Sequence, residues 1–207
     1  MKTTERSLLC ISQTTGSGGK EIGQGVAERL GLRYVDDEII RLAAERARVD
    51  PSTVAEAEWP KPLLMRLADA IDDLPSAVTA PSQWLSKPSQ KALRSLIRET
   101  VASVAERGNA VIVAHAASIA LGPRRDLLRV LVSAPPDIRA ERLRASGLFL
   151  AADAAAEIEQ SDRNRLQYME SFYGVREETP LHYDLVINTE QLSVDQAVGA
   201  IAAAARG

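Results

Sequence analysis

The chain has 207 residues, of which 45% are hydrophobic and 26% are charged, a composition that excludes a disordered or collagen-like protein and fits one folded, soluble domain. The formal net charge of −3 argues against a protein that binds a nucleic acid polymer through a basic surface. The single cysteine, Cys10, excludes an internal disulfide and is expected to be a buried apolar side chain in a reducing compartment.

The sequence predicts no membrane segment. Its longest nearly apolar stretch, residues 110 to 121, is interrupted by His115 and is far shorter than the roughly 20 residues that a membrane-spanning helix needs. Residues 1 to 7 are charged, and no signal-peptide pattern follows them. We therefore expect a cytoplasmic protein without a membrane partner, and an oligomer is possible.

The N-terminal part of the chain predicts a strand, a glycine-rich turn and a helix. Residues 8 to 12 form a short apolar run that is typical of a buried strand. Apolar residues then recur at helical spacing over residues 22 to 30, and Gly31 predicts the end of that helix. Residues 34 to 35 indicate a brief second strand, and residues 36 to 47 a second helix.

Residues 58 to 90 differ from the flanking sequence because five prolines interrupt any regular pattern. We expect an irregular or mobile insertion there. The alternation of strands and helices resumes afterwards, and Ser193 is suited to cap the last helix. Strands are predicted at residues 110 to 113, 127 to 132 and 185 to 188, and helices at residues 89 to 107, 137 to 145, 153 to 172 and 193 to 205. Strands that alternate with helices indicate an α/β fold with a parallel sheet of about five strands and helices on both faces.

The segment SQTTGSGGKEIGQ, residues 12 to 24, places three glycines and a lysine directly after the first strand. In a P-loop, glycines let backbone N–H groups face phosphate oxygens, a lysine reaches the β- and γ-phosphates, and a Ser or Thr hydroxyl holds magnesium. Gly19 and Lys20 match the end of that motif, whereas Glu21 stands where the hydroxyl is expected. A glycine-rich turn that only packs a helix on the sheet is the alternative interpretation.

Two stretches near the C-terminus add to this pattern: DRNR at residues 162 to 165 and YDLVINT at residues 183 to 189. Together with GSGGKEI at residues 16 to 22, they resemble the cytidylate kinase-like family of P-loop nucleoside-monophosphate kinases over roughly residues 7 to 204. The resemblance implies a three-layer P-loop NTPase fold in one kinase-like domain, with a short lid loop at about 146 to 153.

The same resemblance implies ATP-dependent phosphoryl transfer to a nucleoside monophosphate, most of all CMP or dCMP, with Mg²⁺ arriving on the nucleotide. It places the insertion on the acceptor side. The implied donor-binding residues are Gly16, Ser17, Gly18, Gly19, Lys20 and Glu21; the implied acceptor-binding residues are Arg41, His115, Asp162 and Arg165; the implied catalytic cations are Lys20, Arg139, Arg142 and Arg165.

One segment departs from the family pattern. Where the family usually has V-I-V-G-R, this chain has Val-Ile-Val-Ala-His at residues 111 to 115. A histidine donates one hydrogen bond but lacks the fork and permanent charge of arginine. Two other functions therefore stay open: a non-catalytic nucleotide-binding or regulatory protein, and a kinase of another small molecule.

The arginines also admit a structural interpretation. Arg139 and Arg142 flank Glu141, so they could form surface ion pairs on a solvated helix face. Arg163 and Arg165 lie two positions apart and cannot share one helix face, so at most one of them is expected in the cleft, and the match to the family motif favours Arg165. No Cys or His pair has the spacing of metal ligands, so no metal site belonging to the protein itself is expected.

Overall fold

The computed structural model describes residues 6–36, 38–48, 50–51, 90–114, 116–147 and 151–206. Three predictions fall at least partly outside these residues. They concern the proline-rich insertion, the middle of the implied lid loop, and His115.

Strands and helices alternate along the described residues. The strands are β1 (Leu8–Gln13), β2 (Arg33–Val35), β3 (Ala110–Val113), β4 (Leu127–Ser133) and β5 (Leu185–Asn188). The helices are α1 (Gly19–Leu30), α2 (Glu38–Ala47), α3 (Gln90–Glu106), α4 (Ala117–Leu121), α5 (Pro136–Ala145), α6 (Ala151–Tyr173) and α7 (Val194–Arg206), and a short 3₁₀ turn covers Pro180–His182.

The five strands form one sheet in the order β2-β3-β1-β4-β5, and every neighbouring pair is parallel. This confirms the predicted α/β class and strand number. Since all strands run the same way, their carboxyl ends meet at one edge of the sheet, and β1 ends at the centre of that edge. Open parallel sheets bind ligands at this edge.

Helices cover both faces of the sheet, and the alternation of side chains along β1 shows how. Leu8 and Cys10 point into the core beneath α2 and α3. Leu9 and Ile11 point into the opposite core, beneath α1 and α7. Successive strand residues face opposite sides of a sheet, so a strand that is apolar at every position must be covered on both sides.

The side chain of the single cysteine lies in one of these two cores. Cys10 is completely buried, and its burial raises the pKa of the thiol to about 12. The prediction of a buried, apolar cysteine side chain is therefore confirmed. None of the described helices combines the length and the apolar character needed to cross a membrane.

Two local features test the predicted helix boundaries. Ser193 caps α7 as predicted, because the amide of Gln196 donates to its Oγ at 3.2 Å, and the Gln196 side chain accepts from the Ser193 amide at 2.9 Å. Helix α4 was not predicted. It continues the apolar run that begins with β3, and periodicity alone cannot divide such a short run between strand and helix.

Gly23 lets α1 pack closely on the sheet, and this contact generates a stability prediction. A Cβ at Gly23 would lie 2.5 Å from Cγ2 of Val113 and 3.2 Å from the ring of Tyr34. Gly23→Ala should therefore destabilise the protein by about 1–3 kcal/mol through overpacking, despite the better helix propensity of alanine. Urea unfolding measures the change.

Gly199→Ala in α7 is the matched control, since a Cβ there meets only a guanidinium nitrogen of Arg29 at 4.0 Å. This variant should be neutral or more stable by up to about 1 kcal/mol. Equal effects of the two substitutions would contradict the close contact between α1 and the sheet.

Candidate functional site

A glycine-rich turn connects the central strand β1 to α1. Gly16 and Gly18 have φ angles of 79° and 81°, in the left-handed region that favours glycine. A Cβ at Gly16 would also lie 2.8 Å from the carbonyl oxygen of Arg139. We call residues 14 to 18 the phosphate loop; its path requires glycine at these two positions.

The phosphate loop presents backbone N–H groups at the start of α1. The amide of Ser17 donates to the carbonyl of Thr14 at 3.1 Å and closes the turn. Within the part of the chain that the structure describes, the amides of Gly16, Gly18 and Gly19 donate no hydrogen bond. Unpaired amides at a helix N-terminus, together with the helix dipole, form a binding site for an anion.

Ser17 adds a side-chain donor to the loop. Its side chain is 1% exposed, and its hydroxyl is buried without a partner among the described residues. An unpaired buried hydroxyl costs free energy and is rare in native structures. Since Ser17 also lines the cleft described next, a bound ligand that accepts this hydrogen bond would account for it.

A cleft of about 950 Å³ lies against the loop, a volume in the range of small-ligand sites. Its polar lining includes residues of the phosphate loop, Thr15 to Gly18. Apolar side chains from α5 and from the segment that leads into α7 also line the cleft: Leu143, Leu192 and Val194. The cleft can therefore accommodate a molecule that has an anionic group and a flat apolar group.

Lys20, the second residue of α1, lines the cleft and forms an ion pair across the carboxyl edge of the sheet. Its Nζ lies 2.9 Å from Oδ2 of Asp36, which directly follows β2. The hydroxyl of Tyr34 donates to the same carboxylate oxygen at 3.3 Å. The Lys20 ammonium is thus held beside the phosphate loop on the side of β2.

Two carboxylates share this cleft. Glu21 follows Lys20 in the first turn of α1, and its Oε2 lies 3.9 Å from the position of a Cβ at Gly18, so its carboxylate folds back toward the loop. Glu157 of α6 also lines the cleft, and partial burial raises the pKa of its carboxyl group. An anionic ligand in this cleft therefore lies near acidic as well as basic groups.

Arg142 of α5 lines the cleft and is fixed by Thr189. Its two Nη atoms donate to Oγ1 of Thr189 at 2.9 Å and to the Thr189 carbonyl at 2.6 Å. The Thr189 hydroxyl donates in turn to the carbonyl of Ser17 at 2.9 Å. This chain of contacts connects α5, the end of β5 and the phosphate loop.

Arg139 is buried next to the loop and forms an ion pair with Asp162, whose side chain is 40% exposed. Its guanidinium, 3% exposed, donates to both carboxylate oxygens of Asp162 at 3.0 and 2.6 Å. It also donates to the carbonyl of Thr15 at 3.3 Å and to the carbonyl of Ala134 at 2.9 Å. Both Arg139 and Asp162 therefore make their contacts within the protein.

Arg165 is also buried and forms an ion pair with the partly buried Glu178, again beside the loop. Its Nε and Nη2 donate to the two carboxylate oxygens of Glu178 at 2.8 and 2.6 Å, and its Nη1 donates to the carbonyl of Gln13 at 3.0 Å. The hydroxyl of Tyr183 donates to Glu178 through a short hydrogen bond. Arg165 is 4% exposed, so all of these contacts lie in the interior.

The ionisation of this cluster follows from its contacts. Burial alone would raise the pKa of Glu178, but hydrogen bonds from Arg165 and the charge of that guanidinium hold it below its ordinary value of 4.5. Burial raises the pKa of Tyr183 to about 12, so its hydroxyl stays protonated and donates. The cluster is therefore a charged pair with a neutral phenol.

The other predicted site residues lie apart from the cleft or outside the described chain. Arg41 is exposed on α2 and pairs with Glu45 one turn further on. Arg163 lies on the surface of α6 with Glu159, whereas Arg165 points inward. His115 lies outside the described residues. Within the described ranges, no group of three or more His, Cys, Asp or Glu side chains is arranged to hold a metal ion.

Sequence reasoning gave no site role to Asp36, Glu178 or Tyr183. Tyr183 belongs to one of the motifs that carried the family resemblance, and Asp36 stands at the start of the predicted second helix. Glu178 stands in the segment between α6 and β5, where nothing in the local pattern distinguishes it from its neighbour Glu177.

Comparisons with known proteins agree with this geometry. The family model described as "Cytidylate kinase-like family" matches residues 8–191. The chain is similar to a cytidylate kinase of Methanopyrus kandleri, with 23% identity over 198 residues that cover 95% of this chain and 92% of that protein.

Among solved structures, the chain is similar to an uncharacterized protein from Eubacterium ventriosum, with a TM-score of 0.66, 15% identity, and coverage of 96% of this chain and 97% of that one. It is also similar to a shikimate kinase from Bacteroides thetaiotaomicron, with a TM-score of 0.53, 18% identity, and coverage of 93% and 94%. The fold is thus that of P-loop kinases.

The Arg165 cluster generates a prediction of pH-dependent stability. Glu178→Gln leaves the buried guanidinium without its counter-charge, which should cost about 3–5 kcal/mol of unfolding free energy at pH 7. Because the pKa of Glu178 is lowered by folding, its stabilising effect is complete well above pH 4.5 and is lost as pH falls through the folded pKa. The difference between variant and wild type should therefore shrink between pH 7 and pH 3.

Chemical denaturation at a series of pH values measures this difference. Glu159→Gln removes an equivalent carboxylate from the exposed pair with Arg163 and should change stability by less than about 1 kcal/mol at any pH. A Glu178→Gln penalty that stays constant down to pH 3 would contradict a charged pair in the interior.

Proposed function

Because the chain belongs to the cytidylate kinase-like family, we propose that it transfers the γ-phosphoryl group of ATP to a nucleoside monophosphate, with CMP or dCMP as acceptor. Kinase-like phosphoryl transfer is the activity that the family and the P-loop kinase fold support. One observation carries the donor side of the proposal: the phosphate loop combines unpaired amides with a buried, unpaired Ser17 hydroxyl beside a cleft of nucleotide size.

The donor triphosphate would bind beside the phosphate loop in this cleft. The amides of Gly16, Gly18 and Gly19 and the hydroxyl of Ser17 would donate to phosphate oxygens, and Lys20 and Arg142 would supply positive charge. The base would occupy the part of the cleft lined by Leu143, Leu192 and Val194.

The residues at the loop also fit a magnesium ion that arrives with the nucleotide. Mg²⁺ prefers oxygen ligands, and Glu21 offers a carboxylate at the position where the P-loop motif has a hydroxyl. Glu21 would hold the ion, directly or through water, on the side of the loop nearest Gly18. When bound, the ion would neutralise charge on the β- and γ-phosphates.

The reaction itself needs little covalent help from the protein. An oxygen of the acceptor phosphate would attack the γ-phosphorus of ATP, the bond from that phosphorus to the β,γ-bridging oxygen would break, and ADP would leave. A phosphate acceptor is already deprotonated near neutral pH, so no general base is required. Alignment of the two phosphates and neutralisation of their charge would supply most of the rate.

The acceptor would bind on the side of β2 and β3. Arg41 and His115 would face its phosphate, and the insertion at 58 to 90 would contribute to the same side. The loop at 146 to 153 would close over the donor. We place these parts in one kinase domain of a cytoplasmic protein, with nucleotides as its ligands.

A second candidate function is a kinase of another small molecule. It is favoured by the internal contacts of Asp162 and Arg165, which the family resemblance assigns to the acceptor but which are paired with Arg139 and Glu178. An acceptor recognised by other residues would be consistent with those pairs. A nucleotide-binding protein without catalysis is the remaining alternative.

A coupled assay of ADP release, with ATP, Mg²⁺ and a panel of acceptors, tests these functions. The panel contains CMP, dCMP, UMP, AMP, shikimate and small alcohols. Turnover with CMP or dCMP is the expected result. Turnover with a different acceptor alone would favour the second candidate, and ATP binding without any turnover would favour the non-catalytic protein.

Lys20→Ala should weaken ATP binding by about 10- to 100-fold, because a charge-assisted contact to phosphate is lost. Isothermal titration calorimetry in the presence of Mg²⁺ measures the Kd, and circular dichroism checks that the fold is retained. Arg107→Ala is the control, since Arg107 is an exposed cation between α3 and the start of β3, at the opposite edge of the sheet. Unchanged affinity in Lys20→Ala would remove Lys20 from the donor site.

Glu21→Gln should have opposite effects with and without Mg²⁺. Without the ion, ATP should bind more tightly than to wild type because the carboxylate no longer repels the phosphates. With the ion, the gain in affinity that Mg²⁺ provides should fall by about tenfold, since one charged oxygen ligand is lost.

Titrations of ATP with and without Mg²⁺ measure both effects. Glu28→Gln, on an exposed position further along α1, should change neither. An unchanged Mg²⁺ dependence in Glu21→Gln would show that Glu21 does not contact the ion.

A further inference from the structure

We infer that Arg139 and Arg165 are positioning residues that fix the backbone of the phosphate loop. Glu178 and Tyr183 act with them by fixing the orientation of Arg165. Arg139 donates to the carbonyl of Thr15 in the loop, and Arg165 donates to the carbonyl of Gln13 directly before it. A carboxylate fixes each guanidinium. This inference rests on the proposed function only in assigning the loop to a triphosphate.

The geometry of a guanidinium explains why the carboxylates matter. Glu178 accepts from Nε and Nη2 of Arg165, so one whole edge of the planar fork is fixed. The orientation of the remaining Nη1 is then determined, and it donates to the carbonyl of Gln13 at 3.0 Å. Asp162 fixes Arg139 in the same way through both Nη atoms.

Tyr183 limits the freedom of Glu178. Its hydroxyl donates to Oε1 of Glu178, the oxygen that also accepts from Nη2 of Arg165. Tyr183 is 6% exposed and precedes β5, whose pairing with β4 continues the sheet that contains β1. The cluster thus connects the phosphate loop to the sheet through side chains as well as through the backbone.

The two held carbonyls fix the peptide units at the start of the loop. The amide after Gln13 is that of Thr14, which donates to the carbonyl of Val132 at 3.1 Å, and the amide after Thr15 is that of Gly16. In a trans peptide unit, the carbonyl of one residue and the N–H of the next point in opposite directions, and the described chain contains no cis peptide bond. Because Arg139 holds the carbonyl of Thr15, the amide of Gly16 points away from Arg139. A second contact, between the hydroxyls of Thr15 and Ser161 at 2.5 Å, anchors the same residue to α6.

A role in shaping the donor loop and a role in binding the acceptor lead to different predictions. Residues that shape the donor loop should change the affinity for ATP in the absence of any acceptor. Residues that touch the acceptor should change the KM of the acceptor and leave ATP binding unaffected. Arg165 and Arg163 offer a matched pair on one helix, one buried against the loop and one exposed beside Glu159.

The experiment compares Arg165→Lys, Glu178→Gln and Tyr183→Phe with the control Arg163→Lys. Lysine keeps the charge but loses the fork, and Tyr183→Phe removes only the hydroxyl, so this last variant should fold even if the others do not. We expect the calorimetric Kd for ATP to rise on the order of tenfold in Arg165→Lys and Glu178→Gln, less in Tyr183→Phe, and not in the control.

A second readout does not depend on any nucleotide. Hydrogen exchange of the hydrogen-bonded loop amides, those of Thr14 and Ser17, should accelerate in the ligand-free form of the three variants relative to wild type and the control. Unchanged exchange and unchanged ATP affinity would overturn the inference, as would an increase in the KM of CMP with unchanged ATP affinity. If wild type binds no ATP, the proposed function fails, and the exchange rates still decide whether these residues shape the loop.

Discussion

The candidate site depends on one constraint, the pairing of β1 with parallel neighbours along both of its edges. β3 and β4 fix the direction of β1, and its side chains are enclosed in a core on each face. β1 therefore ends with Gln13 at a defined point of the sheet edge, and the chain must turn within five residues to enter α1. The contact of Gly23 with Val113 sets the distance of that helix from the sheet. The direction of the loop amides is thus a result of core packing as well as of glycine content.

The cations near the loop fall into two groups, buried arginines that hold the protein together and cations that line the cleft. Arg139 and Arg165 are buried, and the desolvation of a charged group is offset only where a carboxylate and further acceptors satisfy its donors. Lys20 and Arg142 line the cleft, and their contacts leave them at a surface that a ligand can reach. The attraction for an anion is therefore local, which is consistent with the overall net charge of −3.

Much of the fold could be predicted from short-range patterns. The apolar runs of the strands, the stop at Gly31 and the cap at Ser193 each depend on neighbouring residues, and the structure contains them. The strand order could not be derived in this way, because it depends on pairings between strands as distant as β1 and β4. Motif reasoning located the phosphate loop, but the partners Asp36 and Glu178 belong to other segments. Ion pairs between distant segments leave no local pattern in a sequence.

The burial of Cys10 has a practical consequence for observing this molecule. A thiol with a pKa of about 12 is almost entirely protonated at neutral pH, and the surrounding core excludes alkylating reagents. Modification of the native protein would have to wait for the central strand to leave the sheet. The rate of that modification would then report how often the whole scaffold opens, from a natural probe located three residues before the end of the strand that leads into the phosphate loop.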